Sequence, residues 1–287
     1  MCCITYLIRA SERKEQVEKR KAKLRKRVII AAAFAGLLVL IAVFSGALAP
    51  NDPYATNAEL IRQAPSADYI FGTDNLGRCV FSRVLIGART TIASTFFLVA
   101  VSFIIGIIVG MLCGFYGGIV DDILMRIADL MLAFPQMVVA IAVAGILGGG
   151  LGGAMLALGI TMWTSFARLA RSHTLSIKNE PYITAARLQG KNGLQIMTTH
   201  IMPNILEPVL INALTQIGTT MIGISGLSFL GLGVVAPQAE WGSMISEGRA
   251  YIQIAPWAVL YPAAATVITI IVFNYLGDAV MEYRKAE

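Results

Sequence analysis

Phe96-Phe97-Leu98-Val99-Ala100-Val101-Ser102-Phe103-Ile104-Ile105-Gly106-Ile107-Ile108-Val109-Gly110-Met111 carries no charge and, one serine aside, is apolar on every face. It lies within a charge-free run over 90–120, and four more such runs cover 28–51, 130–167, 208–239 and 250–277. A bilayer core about 30 Å thick needs roughly 20 apolar residues in a helix. Every run meets that length, and 130–167 is long enough for two crossings. Of the 287 residues 56% are hydrophobic and only 14% charged, with a mean hydropathy of +0.70. A soluble domain of this length would place charge every few residues on its outer faces. Soluble, disordered and disulfide-scaffold classes are excluded.

A segment in lipid must satisfy its own backbone, which leaves helices or a closed barrel. Barrel strands alternate polar and apolar residues over about ten positions, and 96–111 does not alternate. The sequence therefore predicts an all-α, polytopic membrane protein with six transmembrane helices near 28–49, 90–114, 127–147, 154–172, 207–230 and 257–279. Gly148-Gly149-Gly150-Leu151-Gly152-Gly153 divides the third from the fourth, since backbone entropy there favours a turn.

Lys and Arg set the orientation. Ten of the 23 basic residues precede Val28, and six spans then leave 18 inside and five outside, namely Arg62, Arg78, Arg83, Arg89 and Arg249. Both termini are expected in the cytoplasm. Ala47-Leu48-Ala49 resembles a signal cleavage site, yet a 27-residue charged preface favours an uncleaved anchor. The expected organisation is a basic cytoplasmic segment at 1–27, an anchor at 28–49 and an extracytoplasmic segment at 50–89. A transmembrane domain at 90–280 and a cytoplasmic tail at 281–287 complete it. Glu12, Glu15 and Glu18 alternate with Arg13, Lys14, Lys19, Arg20, Lys21 and Lys23 at helical spacings. Beside a membrane span, such a segment points to lipid headgroups and not to nucleic acid.

Chemistry-bearing motifs are missing. Gly190-Lys191-Asn192 lacks the earlier glycine and the hydroxyl of a phosphate loop, and no metalloprotease helix, nucleophile elbow or carboxylate cluster occurs. His173 and His200 stand too far apart to suggest a metal site, and Cys2, Cys3, Cys79 and Cys113 lack paired spacing. Cys2-Cys3 reads either as reduced thiols or as an acylation site. No catalytic residue, metal ligand or cofactor is expected in the chain. A self-contained secondary transporter or channel, the rival reading, would need ionisable groups within its spans, and these are nearly absent.

The loop at 178–205 is the most informative polar segment. Glu180-Pro181 can open a helix, Ala185 and Ala186 keep one face small, Gly190 ends it, and Pro203 is expected to stop a second short helix. On shape alone this is either an amphipathic loop or a projection that fits a groove on a partner. Its pattern resembles the EAA loop in permease subunits of binding-protein-dependent ABC importers. Ala185, Ala186, Gly190 and Pro203 match that family, Thr184 replaces its glutamate, and His200 is a form usual in its peptide and nickel branch. Three more segments are similar to the same branch: Phe71-Gly72-Thr73-Asp74-Asn75-Leu76-Gly77-Arg78; Asp122, Arg126 and Asp129 with Phe134-Pro135; and Gly226 to Gly233 with Ala239-Glu240-Trp241-Gly242. Cys79 stands where that branch usually has aspartate.

The resemblance implies a type I ABC importer transmembrane domain in a bacterial inner membrane. It implies a second homologous permease, two ATPase subunits that bind ATP and Mg, and an extracytoplasmic substrate-binding protein. Ala236 to Gly242 lean slightly toward nickel over di- or oligopeptides. From the residues themselves, Asp122, Arg126 and Asp129 lie on one helical face and can pair internally. Thr215, Gln216, Thr219, Ser225 and Ser228 make the fifth span the least oily, either for close packing or for lining a polar path. Trp241 and Trp257 are expected as interfacial anchors.

Overall fold

The computed structural model describes residues 2–286, with side chains for residue 18 and residues 20–286. The expected pairing of Glu12 and Glu15, and the Cys2-Cys3 pair, fall outside the described side chains. In chain order the helices are α1 (Cys2–Val43), α2 (Ser45–Leu48), α3 (Val80–Tyr116), α4 (Gly118–Ala133), α5 (Gln136–Ile146) and α6 (Gly150–Ile177). After them come α7 (Pro181–Leu188), α8 (Gly193–Ile196), α9 (Met202–Phe229), α10 (Trp241–Gly248) and α11 (Trp257–Lys285). Among the described residues five helical runs are long and apolar enough to cross a membrane, or six when α4 and α5 count as one bent span. Helix α1 runs without a break through the expected boundary at residue 28.

The third expected span, 127–147, is not one straight helix. It breaks between α4 and α5 with a bend of 93°. Pro135 has no N–H to continue the ladder, and it drives Phe134 into extended backbone at φ −100°, ψ 144°. The bent pair still carries the chain across. Gly106, Gly110 and Gly114 of α3 meet Phe166, Ala167 and Thr174 of α6 in the same order, so α3 and α6 run parallel. Two parallel crossings require a return between them. It starts where Asp121 pairs with Arg171 of α6 and ends at Gly149, whose Cβ, if present, would lie 3.6 Å from the Leu232 carbonyl just past α9.

Small residues explain how closely α3 and α6 approach. A side chain at Gly114 would put its Cβ 2.7 Å from that of Thr174, and one at Gly106 would lie 2.7 Å from the Trp163 carbonyl. In lipid no hydrophobic force drives helices together, so backbone proximity and dispersion set the association. Phe166, Ala167 and Ala170 are wholly buried against this glycine row.

The stretch of α1 around Arg27 and the last turns of α11 lie together at one end, the terminal end of the bundle. Arg27 of α1 meets Glu282 of α11 at 3.5 Å, and Arg284 meets Glu207 of α9 at 2.6 Å. The irregular segment 49–79 and α10 cap the opposite end, where the Trp257 indole donates to the Thr73 carbonyl at 3.0 Å. Trp241 is not an interfacial anchor. It is buried, donates to the Val84 carbonyl at 2.9 Å and packs over Gly87, because α10 is wedged between α3 and α9.

Candidate functional site

The loop at the terminal end is built from local turn chemistry. Glu180 caps α7 through its backbone, with Pro181 as first helical residue, and Ile183 and Thr184 donate to the Glu180 carbonyl. Gly190, at φ +82°, closes the helix: its N–H reaches the Arg187 carbonyl and the Lys191 N–H reaches that of Ala186. That pair of bonds is a Schellman cap and needs the left-handed residue that glycine supplies. Ile183 and Ala186 turn inward to the core beside Ile196 and Ile201, while Thr184 and Ala185 face outward. Leu188 is 85% exposed and Tyr182 43%, so α7 presents apolar side chains on its outer face.

Pro203 does not stop a helix, contrary to the sequence expectation. Residues 193–229 form one helical run. Its strain is taken up by a π turn at Met197–Ile201, which accommodates a proline ring and its missing donor. His200 sits in that turn, its Nε2 2.9 Å from the Lys191 Nζ and its ring beside Tyr182. Lys178 donates to the Gly114 carbonyl at 3.0 Å, tying the loop's start to the end of α3. The ladder expected within α4 is replaced by pairs between helices. Asp129 meets Arg168 and Asp121 grips Arg171 through both oxygens, at 2.5 and 2.6 Å, because α6 brings its arginines to the same end.

Mid-span, a cavity of about 380 Å³ opens where α4 breaks into α5 and meets α6 and α9. Gln136, Thr161, Ser165, Gln216, Thr219 and Thr220 supply its polar groups, and Phe134, Pro135 and three methionines belong to its apolar wall. Irregular backbone at membrane depth is tolerated where it borders a cavity or is buried in protein. Of the five residues singled out in the fifth span, Gln216 and Thr219 line this space. Thr215 packs against Gly277, Ser225 donates to Glu240 at 3.2 Å, and Ser228 accepts from Val234 N–H at 3.3 Å.

At the opposite end the motif at 71–78 folds into a charged lock. The Asp74 carboxylate accepts from the backbone of Leu76 and Arg78 at 2.9 and 3.0 Å, and meets Arg78 Nε at 2.6 Å. Arg78 and Arg83, 2% and 1% exposed, both reach Glu247 of α10, at 2.6 and 3.4 Å. Thr73 accepts from Gln63 N–H at 2.8 Å and donates to the Leu60 carbonyl. Gly72 and Gly77 turn the chain at positive φ. Burial, reinforced by the Asp74 charge, pushes the nearby Tyr251 hydroxyl up to about 12, so it stays neutral in any working range. Glu240, fully buried, accepts from Gly242 and Ser243 N–H at 2.9 Å and from the Thr91 and Ser225 hydroxyls at 3.2 Å, so one carboxylate ties α10 to α3 and α9.

Residues 106–284 match the sequence profile of the binding-protein-dependent transport system inner membrane component family. The chain belongs to that family. Across nearly its whole length the permease is 38% identical to the dipeptide transport system permease protein DppC of Alkalihalophilus pseudofirmus, over 93% of this chain and 86% of that one. It is 39% identical to the glutathione transport system permease protein GsiD of Pectobacterium atrosepticum, over 90% and 87%. An inward-facing structure of the MetNI methionine ABC transporter superimposes with a TM-score of 0.55 at 23% identity, covering 71% of this chain and 96% of that one. The permease therefore has the type I ABC importer transmembrane fold.

Glu247 and the α3 glycines were not singled out from sequence; Glu240 was, within the segment Ala239 to Gly242, and Arg83 as one of the five outside cations, but neither was given a partner. The glycines recur every fourth residue in an apolar run, a spacing readable in advance. Glu247 carried no such signal, since its partners Arg78 and Arg83 lie more than 160 residues away.

Proposed function

We propose that the permease conducts di- and oligopeptides, forming half of a path completed by a homologous second permease. The observation carrying this reading is the mid-span cavity. Its polar groups are neutral donors and acceptors, suited to peptide amides and indifferent to charge on the passing side chains. Gln136 and Thr219 are exposed at that depth, where bare polar groups against lipid are costly. A second subunit or a water-filled path relieves that cost. The names of the relatives, dipeptide and glutathione permeases, support the same substrate class.

Uptake follows alternating access. A binding protein delivers substrate on the side of the charged lock. Two partner ATPase subunits, which bind ATP and Mg, grip the outer face of α7 around Leu188. ATP binding draws them together and α7 passes the motion to α9 through the continuous run from residue 193, turning the cavity outward; hydrolysis resets it. The bias of Lys and Arg puts both termini and α7 in the cytoplasm. Glu180, Thr184, Ala185, Ala186, Gly190, His200 and Pro203 form or brace this coupling element.

Uptake of labelled dipeptide and of labelled nickel in a strain lacking the chain tests the assignment. Dipeptide uptake should vanish and return with the intact gene, while nickel uptake stays constant. Loss of nickel uptake with dipeptide uptake intact would instead favour nickel or its chelate, toward which Ala236 to Gly242 lean. Retention of both would overturn the importer role.

A further inference from the structure

At the terminal end, α1 and the tail of α11 enclose a cleft of about 380 Å³ lined by Arg20, Lys23 and Arg27 from α1 and Glu282 and Lys285 from α11. Four cations thus face one carboxylate, and that carboxylate already meets Arg27 at 3.5 Å. The α1 cations recur at i, i+3 and i+7, one helical face. Their depth fixes what they can meet. The charge-free run begins at Val28, and at 1.5 Å per residue Arg27, Lys23 and Arg20 lie roughly 2, 7 and 12 Å outside it. The headgroup layer is about 5–8 Å deep on each side of the bilayer, so Lys23 falls at phosphate depth. Immediately above, Ile29, Ile30, Phe34 and Leu37 are more than half exposed on α1.

We propose that this cleft binds the headgroup of an anionic phospholipid, whose acyl chains lie along the exposed apolar face of α1. A soluble phosphate would match the cations and make no use of that face. A cleft contributed by two helices also differs from a loose basic tail, because only some of the cations in residues 19–27 line it. Arg25 and Lys26 are exposed outside it. The proposal is independent of the substrate and of the transport cycle.

The test uses the full-length permease, purified with whatever subunits accompany it and equilibrated with phosphatidylcholine vesicles containing about one part in five phosphatidylglycerol. Lipid retained by the protein is then counted by native mass spectrometry. The intact chain should hold phosphatidylglycerol in preference to phosphatidylcholine. Lys23→Gln with Lys285→Gln should reduce that preference by about fivefold per charge. Arg25→Gln with Lys26→Gln, which removes the same charge from outside the cleft, should reduce it far less. Equal losses in the two double variants would mean diffuse attraction and overturn the site, as would no preference in the intact chain. Added inorganic phosphate at millimolar level should leave the retained lipid unchanged; displacement by it would overturn the choice of a lipid ligand.

Discussion

Glu240 shows how much one side chain can organise in a dry setting. It is fully buried and offers two oxygens to four donors from three helices. Glu240→Ala would leave those donors without an acceptor, at about 1–3 kcal/mol for each that stays buried and unsatisfied, the two capped N–H groups of α10 among them. Glu240→Gln keeps one accepting oxygen and should fall between. The expected order of melting temperature for the purified permease is wild type, then Gln, then Ala; three equal values would show that the carboxylate organises nothing. A second residue-scale test concerns Gly110, where any Cβ runs into the Ala167 carbonyl. Gly110→Ala should destabilise by about 1–3 kcal/mol through overpacking. Gly36→Ala in the lipid-facing α1, where a Cβ meets nothing within 4 Å, should be neutral or mildly stabilising. The same chemical change thus has opposite consequences on two helices, and a parallel drop in both would remove the packing argument.

Among elements, α7 carries the clearest functional prediction. Leu188 is 85% exposed and contributes little to the fold, so Leu188→Glu should leave the amount of permease in the membrane unchanged. If α7 is the ATPase contact, that variant should cut uptake at least about tenfold and release the ATPase on purification, since a buried unpaired charge in an interface costs several kcal/mol. Gly190→Pro cannot adopt φ +82° and should uncouple hydrolysis from uptake; unchanged transport in both variants would sink the coupling role. This element was legible in the sequence because its cues are local: a proline at the first turn, small residues on one face, a glycine at the left-handed cap. Neighbouring elements were less legible for equally physical reasons. A charge-free run reports that a helix is apolar and says nothing about its direction, so the 93° bend in the third span was hidden, although Phe134-Pro135 marks the position. Pro203 carried the usual stop signal, and the π turn that lets the helix continue depends on the tertiary packing of Met197 and Ile201.

For the whole molecule, the apolar runs that supply the spans follow from hydropathy alone, whereas the path of each span and the faces that meet lipid, protein or water do not. The fifth span has polar residues on several faces, so sequence could not tell packing from path. The fold sorts them by where each side chain goes: Gln216 and Thr219 to the cavity, Thr215 to Gly277, Ser225 and Ser228 to the α10 side. Long-range charge pairing was equally invisible, because Arg78 finds Glu247 only after four further crossings have been placed. That sorting makes a prediction about the assembled transporter in its membrane. With Cys2, Cys3, Cys79 and Cys113 replaced by serine or alanine, single cysteines at Gln216 and Thr219 should react with a small water-soluble thiol reagent. Cysteines at Thr215 and Ser228 should be protected, since each lies packed against a glycine of another segment. Adding ATP should change the rate at Gln216 and Thr219 by turning the cavity to the other side, and leave the protected pair unaltered. Thiol reaction requires the ionised, hydrated sulfur, so labelling reports water and not merely space. Protection at Gln216 and Thr219 in every state would mean that this cavity is filled by protein in the assembly and that the path runs elsewhere.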